Sequence, residues 1–183
     1  PVNCILNDIK SHSDQSKKII FYEVGANVGY SSLLISKILS KHGKVYSFEV
    51  DPTNYKTLCD NIILNKLENI VPLNIGLSSE NSISKFYFNT LLNKDVDNLP
   101  QSAMGSHSLK FNENIHKREI YCLAKLMNLE KVILTFNLIK PTHIYIDADG
   151  AEIEIIKSIT STSASSQVEK IMVDIEEKIE DIE

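Results

Sequence analysis

The stretch that decides the fold is Glu23-Val24-Gly25-Ala26-Asn27-Val28-Gly29. Ahead of it, Lys17 to Val24 holds Ile19, Ile20, Phe21, Tyr22 and Val24, the nearly continuous apolar run of a strand covered on both faces. Behind it, from Tyr30 to Lys41, Leu33, Leu34, Ile38 and Leu39 recur at helical spacing, and His42-Gly43 supplies a stop. A strand that passes through a glycine turn into an amphipathic helix is the opening of a βαβ unit, and it predicts a parallel sheet.

The pattern repeats downstream. Lys44 to Val50 reads as a second strand, and Asp51-Pro52 opens a second helix, because Asp caps and Pro tolerates the first helical position. Tyr55, Leu58, Cys59, Ile62 and Ile63 form the buried stripe of that helix. Asn69 to Ile75 gives a third strand, and Ser82 to Asn89 alternates as an edge or hairpin strand does. Thr90 to Asn114, with Pro100 and Gly105, is the least regular region and reads as a long functional or mobile loop. Order returns with Glu119 to Leu123, followed by a helix through Leu138, a strand at His143 to Asp147 and a helix from Ala151 to Ile159. A polar connector, Ser161 to Ser166, then leads to a last strand at Val168 to Ile175. The fold class expected is α/β: a Rossmann-like, mainly parallel sheet with helices on both faces.

With 183 residues the chain is long enough for one buried core and too short for two ordinary domains, so 1–183 is expected to be one domain. The first residue is not Met and the last residues form a charged run, which reads as a piece of a longer chain. No apolar run approaches the roughly 18 to 20 residues needed to span a bilayer, and Pro1-Val2-Asn3 lacks the start of a signal peptide. A cytoplasmic protein with no membrane partner is expected. Cys4, Cys59 and Cys122 are far apart and form no CxxC pair, which argues for core fillers over disulfides or zinc. His12, His42, His116 and His143 show no ligand spacing, so no metal site is expected. Net charge is -5 and Arg118 is the single arginine, which disfavours a nucleic-acid partner.

In open α/β sheets, ligands bind beyond the carboxyl ends of the strands, and three suitable segments fall there. In the first, Gly25 lets the backbone turn and approach a ligand, Gly29 starts a helix without a side chain in the way, and Glu23 adds a carboxylate. A dinucleotide site requires G-x-G-x-x-G to seat a pyrophosphate, whereas these glycines stand four apart behind an acid that would repel it. An acid suits a ligand carrying an amino group and a sulfonium, which favours S-adenosylmethionine over NAD. The bland reading is a tight strand-to-helix turn with no ligand. In the second segment Glu49 stands about 20 residues beyond the last glycine, where an acid accepts ribose hydroxyls. In the third, Asp147 ends a strand and would face the donor methyl and the acceptor. Asp149 and Glu152 fit a capping box as well as a site role, and the two can coexist. His107, in the small polar stretch Met104 to Ser108, joins Asp147 and Asp149 as a candidate general base.

The runs Glu23 to Tyr30, Tyr46-Ser47-Phe48-Glu49 with Asp51-Pro52, Asn74-Ile75-Gly76-Leu77-Ser78, and Ile146 to Glu154 together resemble the FkbM-type methyltransferases, over roughly Ile19 to Glu176. That resemblance implies S-adenosylmethionine as donor and O-methylation of a sugar or small-molecule hydroxyl. It implies that Glu23, Gly25, Asn27 and Gly29 lie along the methionine and ribose portions, Glu49 on the ribose and Gly76-Leu77 near the adenine. Ala26, Tyr30 and Ser31 at the same turn, Val50 beside Glu49, and Asp147 complete the cofactor set. The chain departs from the family pattern, which has Asp where Glu23 stands, Pro where Val50 stands and Lys where Tyr145 stands. The antiparallel strand pair expected at the end of such a sheet is not evident. Two other function classes remain open from sequence: a nicotinamide-dependent oxidoreductase and a catalytically silent binding module.

Overall fold

The computed structural model describes residues 18–88, 109, 120–148 and 150–174. The chain opens with β1 (Ile19–Val24), α1 (Tyr30–Leu39), β2 (Gly43–Phe48), α2 (Pro52–Leu64) and β3 (Ile70–Leu73). Two short or exposed strands follow, β4 (Gly76–Leu77) and β5 (Ser82–Tyr87), then β6 (Tyr121–Met127), α3 (Leu129–Phe136), β7 (His143–Ile146), α4 (Glu152–Thr160) and β8 (Lys170–Val173).

Five strands form the main sheet in the order β3-β2-β1-β7-β8, and every pairing in it is parallel. Both faces are covered, as the continuous apolar strands require. On one face Phe21, Val45 and Tyr145 pack with Ile35 and Leu39 of α1 and Leu58 and Ile62 of α2. On the other, Tyr22, Phe48, Ile144 and Ile146 pack with Val132 of α3 and Ile155 and Ile159 of α4. Successive strand residues point to opposite faces, so one alternating set of side chains feeds two cores. β2 and β3 step outward on one side of β1, and β7 and β8 on the other. The carboxyl ends of β1 and its neighbours are therefore the place where crossovers diverge.

The α/β expectation holds, with four local corrections. Ile63, expected on the buried stripe of α2, is 72% exposed, and the residues this helix buries are Asn54, Leu58 and Ile62. The helix expected after Leu123 is shorter: β6 runs on to Met127, and the helix starts only at Leu129 behind Asn128, whose side chain accepts from the Lys131 amide at 2.8 Å. Ala124, Leu126 and Met127 favour helix locally, but six-residue antiparallel pairing with β5, from Ser82↔Leu126 to Tyr87↔Tyr121, overrides that preference. Ser82–Tyr87 is an edge strand as expected, but of a separate three-stranded sheet, β4-β6-β5. The polar stretch near Ser161 is not a plain connector: Ser163–Gln167 is a 3-10 turn, and Thr162 and Ala164 are buried.

Candidate functional site

The turn after β1 is built by two glycines in the left-handed region. Gly25 has φ +89, and a Cβ there would lie 1.8 Å from the main-chain oxygen of Asp147. Gly29 has φ +91, and a Cβ there would meet Leu58 and Leu33 at 2.4 and 2.8 Å. The first glycine brings the end of β7 against the turn, and the second lets α1 start against α2. The amides of Gly25 and Ala26 both donate to the Phe48 carbonyl, at 3.0 and 2.9 Å, which ties the turn to the end of β2. Tyr30, the first residue of α1, is exposed.

Glu23 is only 1% exposed and accepts hydrogen bonds from the Ser31 and Ser32 hydroxyls in the first turn of α1. Ser32 Oγ lies 2.6 Å from Ser47 Oγ on β2. Burial pushes the Glu23 carboxyl up to about 7, and the serine hydrogen bonds only partly oppose it. The group is thus poised between neutral and charged forms near neutral pH. Glu49, 6% exposed, accepts from the Asn27 amide at 2.6 Å and the Asp51 amide at 2.7 Å. Burial raises it to about 7 as well, against the lowering effect of those two amides. Glu49 therefore pins the glycine turn to the start of α2 and retains lone pairs for a further donor. Asp51 caps α2 as its sequence position implies, accepting from Thr53 and Asn54 at 2.7 and 3.1 Å. Asn74 clamps the same corner, donating to the carbonyls of Glu49 and Val50 at 2.7 and 3.2 Å. Gly76 packs against Val50 and Leu126, and Leu77 is buried.

Across β1, the Asp147 amide donates to the Val24 carbonyl at 2.9 Å, and the residue is exposed at the carboxyl end of β7. The Tyr145 hydroxyl lies 3.3 Å from Asp147 Oδ2 and 3.4 Å from Asp174 Oδ2, just beyond β8. Burial, followed by the charges of Asp147 and Asp174, raises the phenol well above its ordinary value, so it remains a proton donor. Where the family pattern has a lysine, this chain places a neutral donor between two carboxylates. Asp149 and His107 lie outside the described residues. Glu152 accepts from the Gly150 amide at 2.9 Å, and the cap residue of α4 is Ala151, without a side-chain cap bond. Among the described residues, no group of three or more His, Cys, Asp or Glu is placed to hold a metal ion. No helix among them is long and apolar enough to cross a membrane.

Three residues escaped the sequence reading: Ser32, Ser47 and Asp174. Ser47 is a buried hydroxyl within the mainly apolar run of β2, which is a legible sign of a buried polar partner. Asp174 required knowledge that β7 and β8 are neighbours.

An FkbM methyltransferase from Methylobacillus flagellatus KT superposes with a TM-score of 0.55 at 16% identity, over 87% of this chain and 32% of that one. The chain has the FkbM-type methyltransferase fold. Residues 9–93 match the TRM5/TYW2 methyltransferase domain family, a stretch that includes β1 through β5 of this methyltransferase fold. A tRNA(Phe) (4-demethylwyosine(37)-C(7)) aminocarboxypropyltransferase of Methanocaldococcus jannaschii is 41% identical over 54 residues, 30% of this chain and 21% of that protein. The hexuronic acid methyltransferase AglP of Haloferax volcanii is 23% identical over 146 residues, 80% of this chain and 52% of that protein. The chain thus spans about half, or less, of the length of these relatives.

Proposed function

We propose that this protein is an S-adenosylmethionine-dependent methyltransferase that methylates a hydroxyl oxygen of a sugar or small molecule. The observation that carries the reading is the glycine turn walled by two buried carboxylates, Glu23 and Glu49, at the ends of adjacent strands. Burial raises both carboxyls to about 7, so an approaching cation favours their charged form and a pyrophosphate does not, which supports S-adenosylmethionine over a nicotinamide cofactor. The turn also holds an acceptor lacking a donor: Asn27 Oδ1 is buried and unpartnered among the described residues. An ammonium or hydroxyl at the turn would satisfy it.

Bound S-adenosylmethionine would supply an electrophilic methyl group. Glu49 would hold the ribose hydroxyls with its remaining lone pairs, Gly25 to Gly29 would line the methionine portion, and Gly76-Leu77 would lie near the adenine. Asp147 would accept the proton of the acceptor hydroxyl as the new oxygen-carbon bond forms. Tyr145 donates to that carboxylate and so fixes its direction; much of the catalysis in such an in-line displacement is positioning. The similarity to AglP, a hexuronic acid methyltransferase, over 80% of this chain supports a sugar acceptor over a nucleic acid. The tRNA-modifying relative matches over too short a stretch to bear on the acceptor.

The test is thermal melting with S-adenosylhomocysteine or NAD. S-adenosylhomocysteine at about a hundred times its Kd raises stability by about 2.7 kcal/mol, and NAD leaves it unchanged. Stabilisation by NAD alone would overturn the assignment. Labelled methyl transfer to a panel of sugars then separates an enzyme from a silent binding module.

A further inference from the structure

We infer that the outward face of the β4-β6-β5 sheet is a docking surface for a carboxylated oligosaccharide. The register of β5 against β6 puts Ile83 opposite Lys125, Lys85 opposite Leu123 and Tyr87 opposite Tyr121. These six side chains share one face, because their alternates Phe86, Ala124 and Leu126 are buried on the other. Ile83 and Leu123 are 71% and 70% exposed, and no acidic residue stands at any of the six positions.

The chemistry of the face is cationic and flat. Lys85 Nζ lies 4.3 Å from the Tyr121 ring centroid and 6.0 Å from that of Tyr87, and the two rings are 5.8 Å apart. Lys125 Nζ lies 6.0 Å from the Phe136 ring. At the far end of the strands a cleft of about 410 Å³ is lined by Lys125 and Lys131 together with Asn81, Ser82 and Thr135. Among the described residues, Lys85, Lys125 and Lys131 make no ion pair with a carboxylate, although the chain carries a net charge of -5. Three ammonium groups on β5, β6 and α3, without a carboxylate partner among the described residues, complement a polyanion.

Amide and hydroxyl groups in the cleft match sugar hydroxyls, and the exposed Ile83 and Leu123 match the C–H faces of pyranose rings. RNA is the poorer match. The face carries compact ammonium groups and no guanidinium fork, and the accessible side of Tyr121 is already covered by Lys85. The sheet also lies beside the cofactor turn: Leu126 on its inner face and Val50 just past β2 both pack on Gly76. Feeding an acidic sugar to the methyl donor rests on the function proposed above, whereas docking does not.

The experiment is calorimetric titration of the protein, without cofactor, with an oligogalacturonate of about ten residues. A neutral maltodextrin of equal length and a single-stranded RNA of equal charge serve as comparisons. The galacturonate binds and the maltodextrin does not. Replacing Lys85, Lys125 and Lys131 together by Gln weakens binding about tenfold or more, whereas the same change at Lys18, Lys41 and Lys56 does not. Equal melting temperatures of the two triple variants exclude misfolding as the cause. Absent galacturonate binding, an unaffected Lys85/Lys125/Lys131 variant, or tighter binding of the RNA would each overturn the inference. Loss of S-adenosylhomocysteine binding with docking intact would overturn only the methyl-transfer reading.

Discussion

Replacing Glu23 by Gln makes the protein more stable at neutral and alkaline pH. In the unfolded chain a glutamate carboxyl titrates at its ordinary 4.5, and in the fold burial raises Glu23 to about 7. Between these values the folded protein holds a proton that the unfolded chain has lost, so stability falls as pH rises through the window. The loss is complete above about 7. Each tenfold change in proton affinity is worth about 1.4 kcal/mol, so the full penalty is on the order of 3 kcal/mol. Glutamine copies the protonated carboxyl in shape and charge. Its carbonyl accepts from one serine, and its NH₂ donates to the other, whose own proton can turn to the neighbouring Ser47 oxygen. Urea unfolding should therefore give equal stabilities for both proteins near pH 4.5 and a variant more stable by about 3 kcal/mol near pH 8. In melting experiments this is about 6 to 12 °C for a domain of this size. Glu49 stays in both proteins, and its charge is the smallest of the causes acting on Glu23, so its own titration largely cancels in the difference. A variant less stable than the parent near pH 8, or a difference that does not change with pH, would refute a buried, proton-holding Glu23.

Gly25→Ala should destabilise by at least about 3 kcal/mol in urea unfolding, because it combines a left-handed backbone with a Cβ driven into the Asp147 carbonyl. Asp51→Ala removes the side-chain acceptor for Thr53 and Asn54 and should cost about 1 kcal/mol, read from the same titration. Glu49→Ala should weaken S-adenosylhomocysteine binding about tenfold or more in calorimetry with an unchanged far-ultraviolet spectrum. An affinity equal to the parent's would remove Glu49 from the ribose.

Where periodicity and punctuation agree, the elements fall where the chain predicts them: Ile19–Val24, Tyr30–Leu39 and Pro52–Leu64 lie within a residue or two of their expected bounds. Each is announced locally, by a glycine turn or an Asp-Pro cap. β6 is not, because its helix-favouring Ala124, Leu126 and Met127 become strand only through a partner about 40 residues away. The site divides in the same way. Glu23, Glu49 and Asp147 are legible because they end apolar runs, and the turn between them is written in two glycines. Their hydrogen-bond partners are less so, since Ser31, Ser32 and Ser47 meet Glu23 through the crossing of α1 over β1 and β2. The Tyr145 hydroxyl finds Asp174 only because β8 enters the sheet beside β7.

The contact between Gly25 and the Asp147 main chain fixes the spacing between the turn after β1 and the end of β7, which under the proposed function are the donor and acceptor sides. Because it is made by backbone on backbone, it does not depend on which side chains surround it. Under that proposal, substitutions around Asp147 would reshape what is accepted while the gap a methyl group must cross stays constant. Acceptor preference and reach would thus be separately adjustable.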